Sequence, residues 1–483
     1  MSSTKSSYSF VTSIFKFSIS TWVNALLYLL SILLVNLLVD KAIFGLFDLT
    51  IGASTTLMSI VTLGFDHAFL RFFFETPKGI KDSRQISLLG IFISCSLLTI
   101  TTILVLLIPN VVGDVFFEGR KEPILLISMC LTCLAMVVIR FFNISYRMQN
   151  NILKFTIVSV LLQFFTRFFY IFGVFIKNDI KTVEIFNLIG LFSFTCIFFI
   201  FERKNLIPKK YEIPKDAYAP LFKYSLGIMP SSVLLWGNQL VNKLFISTVL
   251  GDGALGLFSF AALISQALAI IQGGFANFWS AYMFTNHKTD QERIKRVHDL
   301  LVFIIMVLMC FLILLSPIVF LVLSRYSESR QVFGLLLYAP LLMIVAETTV
   351  YGIEIEKKTI LNTVSSLICL SVNILCCVFL IPLFNLAGAA FSLVISTAAM
   401  FVFRTIMAQR FYRSITSYLK TTVSLILMLI LSIATFIFDS SYFIIAILSS
   451  VLLLYYFFCY SNEVKLVVSL LKNLIKKNTP ETI

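Results

Sequence analysis

A chain of 483 residues that is 59% apolar and only 13% charged lies far from soluble domains, which are usually less than half apolar and about a quarter charged. The longest connection between its apolar stretches, Glu202 to Tyr224, is too short to hold a soluble domain. A net charge of +14 raises a nucleic-acid reading, but the placement of the Lys and Arg residues described below accounts for the excess and excludes it.

Met1 to Lys16 is polar, Ser-rich and mildly basic. The apolar stretch after it is too long for a signal-peptide core and shows no small-residue cleavage site, so the first span is expected to be retained. Fourteen spans follow in order, near 17–39, 43–65, 86–108, 123–143, 155–176, 183–201, 225–249, 254–283, 297–323, 331–352, 360–381, 386–409, 419–438 and 442–460. Each can cross a hydrocarbon core of about 30 Å at 1.5 Å per residue. The N-terminus, the even-numbered connections and the C-terminal tail carry 29 of the 38 Lys and Arg, and the odd-numbered connections carry seven. A basic excess marks cytoplasmic loops, so the fold class is an all-α polytopic membrane protein with both termini inside. Anionic lipid of the inner leaflet is an expected partner of Lys472, Lys476 and Lys477 in the tail.

The nine Cys residues lie mostly in spans. Cys130 and Cys133 form a C-x-x-C in an apolar helix with no His or second pair nearby, which reads as packing, and no metal site is expected. A short internal repeat recurs at an offset of 211 residues: Ile43-Phe44-Gly45-Leu46-Phe47 returns as Ala254-Leu255-Gly256-Leu257-Phe258. Ser20-Thr21 and Ser231-Ser232 share the same offset. The repeat divides the first twelve spans into two sixes of like orientation, a parallel repeat about the membrane normal. The expected organisation is an N-terminal lobe (1–201), a cytoplasmic linker (202–224), a C-terminal lobe (225–410), an appended helical pair (411–460) and a basic tail (461–483).

Two six-helix lobes are a transporter layout, in which two packed bodies rock about a site. There is no Walker loop, no H-E-x-x-H and no G-x-S-x-G, so neither ATP hydrolysis nor the commonest hydrolytic chemistries are encoded, and no catalytic residue is assigned. Only Arg167 and Lys243 among the basic residues lie well inside a span. A charge at the bilayer centre costs about 2.5–3.5 kcal/mol on insertion scales, so each needs a partner or a wet cavity. Lys243 follows Asn238, Gln239 and Asn242, a polar stripe that reads either as a water-facing cationic site or as a lysine reaching outward. Arg167, one turn after Gln163, reads either as a phosphate fork or as a structural ion pair. Arg140 and Arg71 close spans four and two as topology markers. Glu347, in the middle of span ten, is the best membrane carboxylate for binding a proton or sodium ion, its alternative being a neutral helix contact. Asp48 could pair with Lys41 or Lys243. Asp66 and His67 flank the inner end of span two. Asn24 and Tyr28 share a face of span one, which also carries Trp22 and Asn36. In span eight, Gly273 and Gly274 suggest a hinge or close helix packing.

Four segments resemble one family. Leu38 to Phe47 resembles the turn after the first helix of bacterial polysaccharide flippases, and Gly64-Phe65-Asp66-His67-Ala68-Phe69-Leu70-Arg71-Phe72-Phe73 their ending of helix two. Tyr224 to Pro230 is similar to the opening of their second lobe. Ile381-Pro382 with Leu386-Ala387-Gly388-Ala389-Ala390 is similar to the connection between helices eleven and twelve. The order and spacing resemble O-antigen and capsule repeat-unit flippases (Wzx type) of the multidrug/oligosaccharidyl-lipid/polysaccharide exporter superfamily. Where many relatives carry Asp-Arg in helix seven, this chain has Asn242-Lys243. The resemblance implies fourteen helices in two lobes, and export of an undecaprenyl-diphosphate-linked oligosaccharide across the bacterial inner membrane without a bound cofactor, driven by a proton or sodium gradient.

On that reading Lys243 and Arg167, with Arg140 at the inner end, attract the diphosphate, and Asn24, Tyr28, Asn238, Gln239 and Asn242 hydrogen-bond sugar hydroxyls. Glu347 and Asp48 are the candidates for ion coupling. A polysaccharide polymerase and a chain-length regulator are possible assembly partners. The rivals are a multidrug exporter of the same superfamily, disfavoured because a positive cavity repels cationic drugs, and a membrane polymerase. The polymerase would need a larger external loop than Pro109 to Glu122.

Overall fold

The structure, a computed structural model, describes residues 23–73, 76–77, 80–117, 123–149, 152–206, 208, 210–356, 358, 360–439 and 441–465. Trp22, the Ser20-Thr21 pair and the tail lysines Lys472, Lys476 and Lys477 lie outside them. The described residues are helices joined by short connections, with no strand among them. In chain order the helices are α1 (Val23–Leu38), α2 (Lys41–Val61), α3 (Phe65–Arg71), α4 (Arg84–Leu107), α5 (Pro109–Phe116) and α6 (Pro123–Met148). Then come α7 (Ile152–Ile176), α8 (Ile180–Leu206), α9 (Lys215–Leu250), α10 (Asp252–Gln266), α11 (Leu268–Asn286) and α12 (Gln291–Val322). The last six are α13 (Arg330–Thr349), α14 (Tyr351–Ile355), α15 (Ile360–Phe384), α16 (Leu386–Phe411), α17 (Tyr418–Ile437) and α18 (Tyr442–Cys459). Thirteen helical spans among the described residues are long and apolar enough to cross a membrane, and α1 is a shorter apolar helix as described. The chain is an all-α polytopic membrane protein, because in hydrocarbon a backbone must satisfy its polar groups within its own segment.

Three breaks refine the expected spans. Span two ends early at Val61, where Leu63 (φ 47°) and Gly64 (φ 77°) turn the chain into α3. Glycine alone adopts the left-handed region without penalty. Span eight is interrupted at Ala267, not at Gly273 and Gly274, whose missing Cβ atoms would meet no neighbour. The glycine pair is therefore not a close-packing contact. The connection from Glu202 to Tyr224 is helical at both ends: α8 runs to Leu206, and α9 starts at Lys215 and carries Pro220 and Pro230 in its length. The start of α8 is capped by Asp179, whose carboxylate accepts the Thr182 N–H at 2.7 Å. Hydrogen bonds from Lys177 and Thr182 hold that carboxyl well below the usual range.

The chain divides into two compact units, Met1–Phe260 with Asn373–Ala389, and Ala261–Val372 with Ala390–Ile483. In the first unit α2 packs against α4, α6, α8 and α9, and α6 and α7 both pack on α8. The repeated glycines meet here. A Cβ on Gly45 would lie 2.6 Å from the Gly256 nitrogen, and one on Gly256 would overlap the Lys41 carbonyl oxygen. The motif repeats because the two helix starts touch backbone to backbone, which only small residues allow. Phe44 and Phe260 close the contact edge to face, their centroids 6.3 Å apart.

In the second unit α13 is the most deeply buried of the spans. It packs against α11, α12 and α17, while α18 packs on α12 and α17. The Ser432 hydroxyl donates to the Gly334 carbonyl at 2.7 Å, and Arg330 binds Asp439 at 3.0 Å. His298 is fully buried, with Nδ1 2.7 Å from the Thr348 hydroxyl and Nε2 3.1 Å from that of Thr421.

Gly256→Ala is expected to lower the thermal unfolding midpoint of the detergent-purified protein, at the overpacking cost of about 1–3 kcal/mol. Gly237→Ala, where a Cβ meets nothing within 4 Å, should leave it unchanged in the same melt.

Candidate functional site

The first unit holds both mid-span cations, of which one, Lys243, is paired with a carboxylate. Lys243, on α9, reaches across to α2 and puts Nζ 2.8 Å from Asp48 Oδ2 and 3.1 Å from the Asp48 carbonyl oxygen. Its path along α2 is open because residue 52 is glycine: a Cβ there would stand 3.3 Å from Nζ and 3.5 Å from Cδ. The lysine side chain is 14% exposed and that of Asp48 27%, so the lysine does not reach outward. Of the two partners open to Asp48, the structure selects Lys243 over Lys41.

Arg167, on α7, lies over the Tyr28 ring of α1 with the guanidinium carbon 4.3 Å from the ring centroid. Such a contact contributes about 0.5–2 kcal/mol depending on its exposure to water. Its Nε donates to the Gln163 amide oxygen one turn away at 3.3 Å, and among the described residues no carboxylate lies within ion-pair distance of it. Asp48 and Arg167 both act electrostatically on Tyr28 and on Tyr170, so the two charges have these tyrosines as common neighbours. Tyr170 stacks on Phe47, the neighbour of Asp48, at 4.1 Å. Asn24, one turn before Tyr28, donates to the Ser159 hydroxyl at 3.4 Å, and its own carbonyl oxygen is buried without a partner. Two cations against one carboxylate leave the cluster with an excess positive charge inside membrane-spanning helices.

The polar stripe of α9 divides instead of presenting one wet face. Asn238 and Asn242 are buried where α9 meets α15: the Asn373 side-chain amide donates to the Asn238 backbone carbonyl at 3.0 Å, the Cys377 thiol donates to Asn242 Oδ1 at 2.9 Å, and the Asn238 side-chain oxygen is buried without a partner. Gln239 is exposed. The reason is geometric, since successive helical residues lie about 100° apart and Asn242 and Lys243 must meet different neighbours. The Asn242 side chain and the Asn238 backbone thus tie α9 to α15, and neither side chain faces open water. Arg140 sits apart from this cluster, its Nε 3.1 Å from Asp66 Oδ2, with His67 Nε2 3.8 Å from the same oxygen. The acid makes Arg140 half of an ion pair.

In the second unit Glu347 accepts from the Gln272 amide at 2.9 Å. Arg404 of α16 interacts electrostatically with Glu347 and with Glu354 of α14, and its Nε is buried without a hydrogen-bond partner. The sequence does not single out Arg404, and the carboxylates near it come from other helices, so no local pattern announces the group. Nor does it single out Glu184, fully buried near the start of α8, whose Oε2 accepts from the Ser128 hydroxyl at 2.5 Å. A single acid in an apolar span was the available signal. Among the described residues no group of three or more His, Cys, Asp or Glu side chains could hold a metal ion, and Cys130 and Cys133 are buried free thiols.

This arrangement of helices is similar to that of solved flippases and transporters. The solved structure of lipid II flippase MurJ in an inward closed conformation matches with a TM-score of 0.68 at 17% identity, over 93% of this chain and 99% of that one. A multidrug resistance MATE family transporter of the multidrug/oligosaccharidyl-lipid/polysaccharide exporter superfamily matches in its inward-facing conformation with a TM-score of 0.55 at 14% identity, over 82% of this chain and 97% of that one. Its outward-facing conformation gives 0.54 at 15%, over 82% and 94%. At these identities the likeness is one of fold. The chain belongs to the family of polysaccharide biosynthesis proteins, whose model matches residues 10–284. No curated protein matches it in sequence.

A double-mutant cycle on Lys243→Met and Asp48→Asn should return a coupling of about 0.5–3 kcal/mol in thermal unfolding, because either single change leaves a charge without its partner. Additive effects would mean that the two charges do not act as a pair.

Proposed function

We propose that this protein flips undecaprenyl-diphosphate-linked oligosaccharide repeat units from the inner to the outer leaflet of the bacterial inner membrane, for assembly of surface polysaccharide. The observation that carries this reading is the pair of mid-span cations Lys243 and Arg167, of which only Lys243 is matched by a carboxylate, Asp48. A diphosphate diester is an anion that must leave water to cross, and buried cations offering charge-assisted hydrogen bonds are what it requires. Membership of a polysaccharide biosynthesis family supports the saccharide part of the cargo. The fold shared with lipid II flippase MurJ supports a lipid-linked one. The prenyl tail stays in lipid while the polar head meets the protein, so the activity is transport and not catalysis.

In this reading the chain works as two lobes of six spans with an appended pair, 411–460, both termini in the cytoplasm, by alternating access. A proton or sodium gradient drives the cycle, with Glu347 and Asp48 the carboxylates through which it would act. Asn24, Tyr28 and Gln239 contribute hydrogen bonds to the head group, while Asn238 and Asn242 support the helix that carries Lys243. A polysaccharide polymerase and a chain-length regulator are the proposed neighbours in assembly. The sign of the cluster argues against the runner-up, export of cationic drugs.

The test is complementation of a strain depleted of this protein. Lys243→Ala is expected to lower surface polymer roughly 10- to 100-fold, the loss of a charge-assisted contact of about 1.5–3 kcal/mol, with the protein inserted at normal levels. Lipid-linked repeat units should accumulate facing the cytoplasm. Normal polymer in that variant, or resistance to cationic dyes as its only phenotype, would sink the assignment.

A further inference from the structure

Lys243 spends two of its three donors on one residue: Asp48 takes one with its carboxylate at 2.8 Å and another with its backbone carbonyl at 3.1 Å. Both groups belong to the first unit, and the contact joins α2 to α9. The third donor is open to a first contact with a phosphate oxygen, and a phosphate that goes on to take the ion-pair position on Lys243 displaces the carboxylate that holds it. The two oxyanions are alike in charge and in the way they accept from an ammonium. Arg167 differs. Its recorded partners are the neutral Gln163 amide and the face of Tyr28, so it can receive an anion without giving one up. The field of Asp48 reaches the tyrosines around Arg167, so an anion settling there is repelled by Asp48 until that carboxylate moves.

We infer that Asp48 is a tethered competitor for the substrate phosphate: it holds Lys243 between cycles, yields it to the arriving diphosphate, and retakes it to expel the product. This rests on the proposed lipid-diphosphate cargo. The exchange means that Lys243 is never left without a counter-ion in the membrane, where an uncompensated charge is costly. It also weakens ground-state binding, as transport requires, because a site must let go as readily as it captures. The contact between α2 and α9 closes when the site is empty of phosphate and opens when phosphate is bound. Asp48 in this role is a positioning and specificity-determining residue.

The test uses the full chain in phosphatidylcholine nanodiscs, with undecaprenyl diphosphate and the uncharged undecaprenol as probes, read by microscale thermophoresis. The wild type should prefer the diphosphate lipid. Asp48→Asn should bind it roughly 10-fold more tightly, about 1.4 kcal/mol, leave undecaprenol binding unchanged, and export polymer more slowly in cells. Asp48→Glu, which keeps the charge, should bind within threefold of wild type. If Asp48→Asn inserts poorly, Asp48→Ser carries the same expectation. A merely structural carboxylate would give the opposite, with weaker binding of both lipids by the neutral variants. That result, or unchanged affinity for the diphosphate, overturns the competitor while leaving the cargo reading in place. A wild type that does not distinguish the two lipids removes the cargo reading, and the competitor falls with it.

Discussion

A charged group placed in hydrocarbon has to find its opposite or a wet surface, and the rest of this structure is arranged around that demand. Nearly all basic residues escape it by lying at helix ends, where water is close. Those that stay within spans each show a different answer. Lys243 takes a carboxylate and a carbonyl from the neighbouring helix. Arg167 takes an aromatic face and a neutral amide on its own helix. Arg404 sits in the field of two acids from other helices. The uneven completeness of these solutions makes the first two interesting as a site: one cation is matched by an acid, and the other is left with neutral company.

Much of the fold is legible in the sequence because lipid imposes a coarse rule. About twenty apolar residues in a row must be a helix, and thirteen of the fourteen expected spans reappear, most with ends shifted by a few residues and the seventh starting earlier, at Lys215, α1 being described from Val23 onward. The breaks at Leu63-Gly64 and at Ala267 are harder to read, since a turn inside an apolar run changes hydropathy very little. Gly64 is a signal for the first of them; Ala267 gives none. The short glycine repeat reports a real contact, because close backbone approach leaves a compositional trace that outlasts the rest of the similarity.

Individual roles at the site are less legible. The sequence isolates Lys243 and Arg167 as exceptions to the charge pattern, and names Asp48 as one of several partners, because a missing charge class is visible in one dimension. It does not say that Asn242 and Lys243, adjacent in the chain, serve different helices. Nor does it show that Asn373 and Cys377, some 135 residues on, are what Asn238 and Asn242 face. Partners that far apart are joined only by the fold. Arg404 is the clearest case: its distance from the helix end looks ordinary, and its significance comes from Glu347 and Glu354 on other segments.

The histidine clasp in the second unit makes one side chain of α12 answerable to two other helices. His298 engages one threonine of α13 and one of α17, with both ring nitrogens committed while the residue is fully buried. A buried polar atom stripped of its partner is costly, so α17 cannot slide along α12 without breaking a bond that burial shields from water. The penultimate helix is thereby fixed in register with α12 and α13, on both of which it packs.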